Sequence, residues 1–84
     1  MTTRTLKKRI SFGAPKPSET GKTKVWKVRS SGDDFLGEVR WFGRWRRYAF
    51  HPDPFTIFEQ ECLREIADFC EQRSREQRQQ WRKK

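Results

Sequence analysis

Between Lys24 and Phe50, apolar and polar side chains alternate with a period of two, in runs cut by Ser31-Gly32-Asp33-Asp34 and by Gly43-Arg44. That period sends successive side chains to opposite faces of an extended chain, so the stretch predicts antiparallel strands rather than helix. Strands are expected from Lys24 to Ser30, Phe35 to Phe42 and Trp45 to Phe50. His51-Pro52-Asp53-Pro54 closes the last one, because neither proline has an amide to give a ladder.

Gly43 in the first central position suits a two-residue type II′ hairpin turn. Such a turn pairs Phe42 with Trp45, Trp41 with Arg46, Arg40 with Arg47 and Val39 with Tyr48. One face then carries Phe35, Gly37, Val39, Trp41, Tyr48 and Phe50, with Arg46 near the turn. The other carries Leu36, Glu38, Arg40, Phe42, Trp45, Arg47 and Ala49. A four-residue loop at 31–34 adds Trp26 and Val28 to the apolar face, sets Val28 opposite Gly37, and sets Lys27 opposite Glu38 as a favourable cross-strand charge pair. A slip of one residue would mix the faces, so this register is preferred.

Past the prolines, Phe55-Thr56-Ile57-Phe58 reads either as a fourth short strand or as the approach to a helix. Capping-box spacing between Thr56 and Glu59 favours the helix. From Glu59 the period lengthens, with Cys62, Leu63, Ile66, Ala67, Phe69 and Cys70 forming one apolar stripe. Acids at its start and arginines at its end suit the helix dipole. A helix over about 59–77 is expected to cover the apolar sheet face and to fray past Cys70, where the stripe stops. The expected fold is α+β: a three-stranded antiparallel sheet, four-stranded if 55–58 pairs, backed by one C-terminal helix. The domain plan is a disordered basic arm at 1–22, a single βββα domain at 23–78, and a basic tail at 79–84.

An 84-residue chain holds one small domain. Its 14% aromatic content must supply much of the core, because only 32% of residues are hydrophobic. The net charge of +9 is uneven. Residues 1–24 hold seven Lys/Arg against one Glu, and 71–84 hold six against two, while the middle is nearly neutral. Basic arms attract phosphate, acidic protein or anionic membrane without choosing among them. No apolar run is long enough to cross a bilayer. No apolar signal-peptide core follows the basic start, although an Arg-rich start alone also admits a mitochondrial presequence. Cys62 and Cys70, eight positions apart on one helix, lie roughly 12 Å apart along its axis. A disulfide needs Cα atoms within roughly 7 Å, so both thiols are expected to stay reduced, as in a reducing compartment.

The outward face combines Lys27, Arg29, Arg40 and Arg47 with Phe42 and Trp45, and Arg44 sits in the turn between them. Facing Arg40 with Arg47 costs stability, a cost that an anionic partner would relieve. Rings stack on bases and arginines reach phosphates or guanine edges, so the candidate nucleic-acid-binding residues are Lys27, Arg29, Arg40, Phe42, Arg44, Trp45 and Arg47. The tails add Lys7, Lys8, Arg9, Arg82, Lys83 and Lys84. The same residues have a purely structural use: Phe42 and Trp45 as a pair bracing a hairpin, with arginines packed on their rings. Catalysis finds no support, because His51 is the lone histidine and stands in a turn, without a nucleophile–base pair or phosphate-binding loop. Nothing calls for a cofactor. His51, Cys62 and Cys70 lack the paired short spacing of structural zinc sites, so no metal is expected.

The stretch from Trp41 to Phe50 (WFGRWRRYAF), the proline turn, Thr56-Ile57-Phe58 and Cys62 to Phe69 together resemble a family of small phage and prophage proteins with the pattern W-[FY]-x-x-W-R-x-Y-x-F. The likeness spans about residues 25–71. It implies a phage or prophage origin and a bacterial cytoplasm, which argues against a mitochondrial presequence, and it carries no settled activity and no functional residues. The expected topology is also similar to the three strands plus helix of integrase arm-binding and plant AP2-type DNA-binding domains, whose sheet enters the major groove.

Three functions compete on this reading. The first is a nucleic-acid-binding accessory protein, with DNA favoured. The second is a phage-encoded modulator or inhibitor of a host protein with an acidic surface. The third is an assembly component, as a homodimer. None involves a membrane.

Overall fold

The computed structural model describes residues 10–82. The strands are β1 (Ile10–Phe12), β2 (Lys16–Pro17), β3 (Lys24–Ser30), β4 (Phe35–Phe42) and β5 (Arg47–Pro52), followed by one helix, α1 (Gln60–Arg82). All pairings are antiparallel, in the order β1-β3-β4-β5, and β2 pairs beside β1 on the same edge of β3. The α+β class, the antiparallel sheet and the single C-terminal helix are as the sequence predicts.

The bounds of β3 and β4, the loop at 31–34, and the pairs Lys27–Glu38 and Val28–Gly37 also match expectation. One irregularity intervenes. Arg29 pairs with Phe35, so β4 carries an extra residue at Leu36. This bulge leaves Phe35 exposed under the Arg29 guanidinium, 6.0 Å from its ring centroid, and lets Leu36 pack against the core. Gly37 lies beside it with φ of 152°, where a Cβ would overlap the carbonyl oxygen of His51 and stand 2.9 Å from Phe50 Cζ.

The β4–β5 turn corrects the expected register. The connection is the four residues Gly43–Arg46, not Gly43-Arg44 alone. The amides of Trp45 and Arg46 both donate to the Phe42 carbonyl, and Arg46 closes the loop at φ of 56°. Phe42 therefore pairs with Arg47, Trp41 with Tyr48 and Arg40 with Ala49. The displacement is two residues, so from Gly37 onward the β4 and β5 side chains keep their faces while every β4–β5 partner changes. Only Phe35 and Leu36, at the bulge, exchange the faces expected of them. The Arg40–Arg47 like-charge pair does not exist.

The segment 55–58 forms no strand and leads into α1. The expected capping box is also not formed. Thr56 Oγ1 donates to the Asp53 carbonyl, and Glu59, just before the helix, accepts the Glu61 amide at 2.6 Å.

The core joins the two layers. Ile10, Trp26, Val28, Val39, Tyr48 and Ile66 are buried in one cluster. Full burial of Val28 and Val39 contributes roughly 1.5–3 kcal/mol each. The Phe69 ring stacks on Phe12 at 3.9 Å and meets the Trp26 edge at 5.2 Å. Two expectations fail here for one reason. Residues 10–22, assigned to a disordered arm, include β1 and β2, because Ile10 and Phe12 add their side chains to this core. The helix does not fray past Cys70 or end near 77: its buried stripe continues through Ser74 and Gln77 as polar contacts and reaches Trp81. Residues 79–82 thus belong to α1 rather than to a tail. Cys62 and Cys70 are not joined in a disulfide.

Candidate functional site

Alternation in β3 and β4 sends Val25, Lys27, Glu38 and Arg40 to the face away from α1. Lys27 stands opposite Glu38, and the Glu38 carboxylate holds Arg40 Nε at 3.3 Å. Glu38 thus orders Arg40, at little gain in stability for so exposed a pair. From β5, His51 joins this face opposite Glu38 instead of standing in a turn. Burial pushes the His51 pKa below its ordinary value, the Arg40 charge pushes it further, and Glu38 opposes both. Its Nε2 is buried without a hydrogen-bond partner. A neutral ring under those influences adds no charge to the face near pH 7.

The face is the floor of a groove of about 810 Å3. Lys27, Arg29 and Arg40 line it, and the segment from Gly13 to Thr23 flanks them, bringing in Lys16 and Lys22. The lining holds five cations against the carboxylates of Glu19 and Glu38. The flanking segment is fixed by its own bonds: Gly13 N–H donates to the Lys27 carbonyl at 2.8 Å, and Ser18 N–H to the Thr23 carbonyl at 2.9 Å. Gly21, at φ of 77°, makes the reversal between them. The groove runs on from the outer face to Trp41 and Trp81, which stand on the α1 side of the sheet and whose rings meet edge to face at 5.1 Å.

The predicted site residues therefore divide. Lys27, Arg29 and Arg40 come together in the groove. Phe42, Arg44, Trp45 and Arg47 gather at the β4–β5 tip and do not line it. There the Phe42 and Trp45 rings meet at 4.7 Å, Arg47 Nε donates to the Trp45 carbonyl at 3.3 Å, and Arg44 is exposed. Phe42 and Trp45 brace the loop, as a structural use requires, although Trp45 remains 61% exposed. Of the tail cations, Arg82 is the last described residue of α1 and is exposed, while Lys7, Lys8, Arg9, Lys83 and Lys84 lie outside the described residues.

Sequence reasoning missed Lys16, Lys22, Trp41 and Trp81 as groove residues. Trp81 carried a usable signal, because it continues the helical spacing of Ile66, Ser74 and Gln77. The two lysines carried none, since β2 is two residues long. Among the described residues, no cluster of His, Cys, Asp or Glu is arranged to hold a metal ion, and no helix is long and apolar enough to cross a membrane. No protein-family model matches the chain, and no curated protein or solved structure matches it either.

Proposed function

We propose that the protein is a small nucleic-acid-binding accessory module that holds a phosphate backbone in the groove between the outer sheet face and residues 13–23. The observation that carries this reading is the convergence of Lys16, Lys22, Lys27, Arg29 and Arg40 on one groove. Phosphate neutralisation by such cations supplies most of the affinity of proteins that bind nucleic acid without reading its sequence. The resemblance to phage and prophage proteins favours a role in the bacterial cytoplasm during infection or lysogeny. The decisive experiment is a titration with labelled oligonucleotides at low and moderate salt, using the native chain and a Lys27→Gln/Arg40→Gln variant. Salt-sensitive binding lost in the variant supports the reading, and salt-independent binding or none refutes it.

One observation favours the second reading, a modulator of a host protein. Phe55 is fully exposed and Ile57 is 93% exposed, just before α1. Apolar side chains left in water serve as protein anchors more often than as phosphate contacts. Capture of a host protein that persists after nuclease treatment, and is lost in a Phe55→Ser/Ile57→Ser variant, is the outcome that would select it.

A further inference from the structure

We infer that the groove accepts a single strand of nucleic acid, and that Trp81 is the platform on which a base stacks at its end. This rests on the nucleic-acid reading above and specifies the form of the ligand.

A sheet that reads duplex DNA must project into the major groove, which is roughly 12 Å wide and admits a helix or a two-stranded ribbon. The outer face here is recessed. Lys27, Arg29 and Arg40 form the floor of a groove flanked by residues 13–23. A duplex resting on the rim would keep its phosphates away from that floor, whereas a single strand can enter and lay its backbone along it. The topological likeness to sheets that enter the major groove therefore does not extend to the shape of this face.

The second argument is the aromatic end of the groove. Proteins that hold single strands combine a cationic track with rings on which unpaired bases stack. Trp81 has the geometry for that task. It is held edge to face against Trp41 at 5.1 Å, yet 37% of it remains exposed. A ring already fixed by its neighbour loses little freedom on binding. Trp41 is itself anchored by the Tyr48 ring at 5.1 Å, so the platform is tied to the buried core. Paired bases inside a duplex offer no face to such a ring.

The test is a comparison of 15-nucleotide oligo(dT), oligo(rU) and a 15-base-pair duplex by fluorescence anisotropy, with the native chain, Trp81→Ala and Trp81→Phe. The expected result is tighter binding of a single strand than of the duplex at equal salt, and the tighter of the two single strands identifies the sugar. Trp81→Ala should weaken single-strand binding roughly 5- to 150-fold, the equivalent of about 1–3 kcal/mol for one stacked base. It should leave the salt slope unchanged, because stacking releases no counterions. Trp81→Phe should retain most of the affinity, and melting curves of both variants will show that the fold persists. Tighter duplex binding, or single-strand affinity unchanged in a folded Trp81→Ala, overturns the inference and leaves nucleic-acid binding standing. Binding to none of the three overturns both.

Discussion

The backbone N–H of Tyr48 donates to Ser74 Oγ at 2.8 Å, and that hydroxyl in turn donates to the Cys70 carbonyl at 2.7 Å. One helical serine thus joins α1 to β5 through a buried polar seam. Three further bonds extend it. The Tyr48 hydroxyl donates to Gln77 Oε1 and accepts the Lys24 amide, both at 3.1 Å, and Arg78 Nη1 donates to the Arg46 carbonyl at 3.0 Å.

Ser74→Ala leaves the Tyr48 amide without that partner. The expected loss is about 1–3 kcal/mol, which for a domain of this size lowers the melting temperature by on the order of 5–20 °C. Thermal unfolding followed by circular dichroism measures it, and a change under a degree or two would mean that water replaces the hydroxyl at no cost.

Gly37→Ala should be the most damaging small substitution in the sheet. Its φ of 152° disfavours any side chain, and the new Cβ would run into the backbone of His51 and Pro52. Strain and overpacking together cost on the order of 2–4 kcal/mol. Urea unfolding of the variant should show a lower midpoint with an unchanged slope.

Arg40 and Arg47 should behave differently although they lie on the same face. Arg40→Gln removes a groove cation and should reduce both polyanion affinity and its salt slope, by roughly 0.7 per lost single-strand phosphate contact. Arg47→Gln, at the tip, should leave that slope unchanged. Each should alter stability by no more than about 0.5 kcal/mol. Titrations over a salt series decide the matter, and equal losses in the two variants would extend the contact surface to the tip.

Alkaline pH should ionise the half-buried Cys70 thiol at a cost to stability. Burial pushes the Cys70 pKa from its ordinary 9 up to about 11. A group whose pKa is raised by folding contributes stability that is complete below its unfolded pKa and is lost as pH rises through the folded one. Stability should therefore fall between about pH 9 and 11. Burial also raises Tyr48, which adds to the loss in the upper part of that range. Denaturant unfolding at intervals across it should show a smaller decline in Cys70→Ala than in the native chain.

Outside the bulge at Phe35 and Leu36, the faces of the sheet were legible in the sequence; so were the β3–β4 partners Lys27–Glu38 and Val28–Gly37, but not the β4–β5 partners. Two-residue alternation settles which side chains share a side, and a turn two residues longer than expected leaves that parity intact. The longer turn escaped notice because its last residue, Arg46, takes a left-handed conformation for which a sequence expects glycine or asparagine. The far half of α1 was misread for a chemical reason. Ser74 and Gln77 look like solvent residues until the amide and hydroxyl of Tyr48 are placed beside them. Strands of three and two residues are too short to display a period, so β1, β2 and the lysines that β2 and its turn deliver to the groove emerge only from pairing with β3. Lys27, Arg29 and Arg40 could be found in advance because they stand on long strands.

The contact of α1 with β5 also bears on how these molecules behave when crowded together. A sheet grows into fibrils by recruiting strands from neighbouring molecules onto an open border. Here the border of β5 meets Ser74 of the helix at Tyr48, and the free border of β3 is taken up by β1 and β2. Among the described residues, a recruiting neighbour meets strands of only three and two residues on one side, too short to template a growing ladder, and on the other side a β5 whose Tyr48 amide is already engaged by the helix.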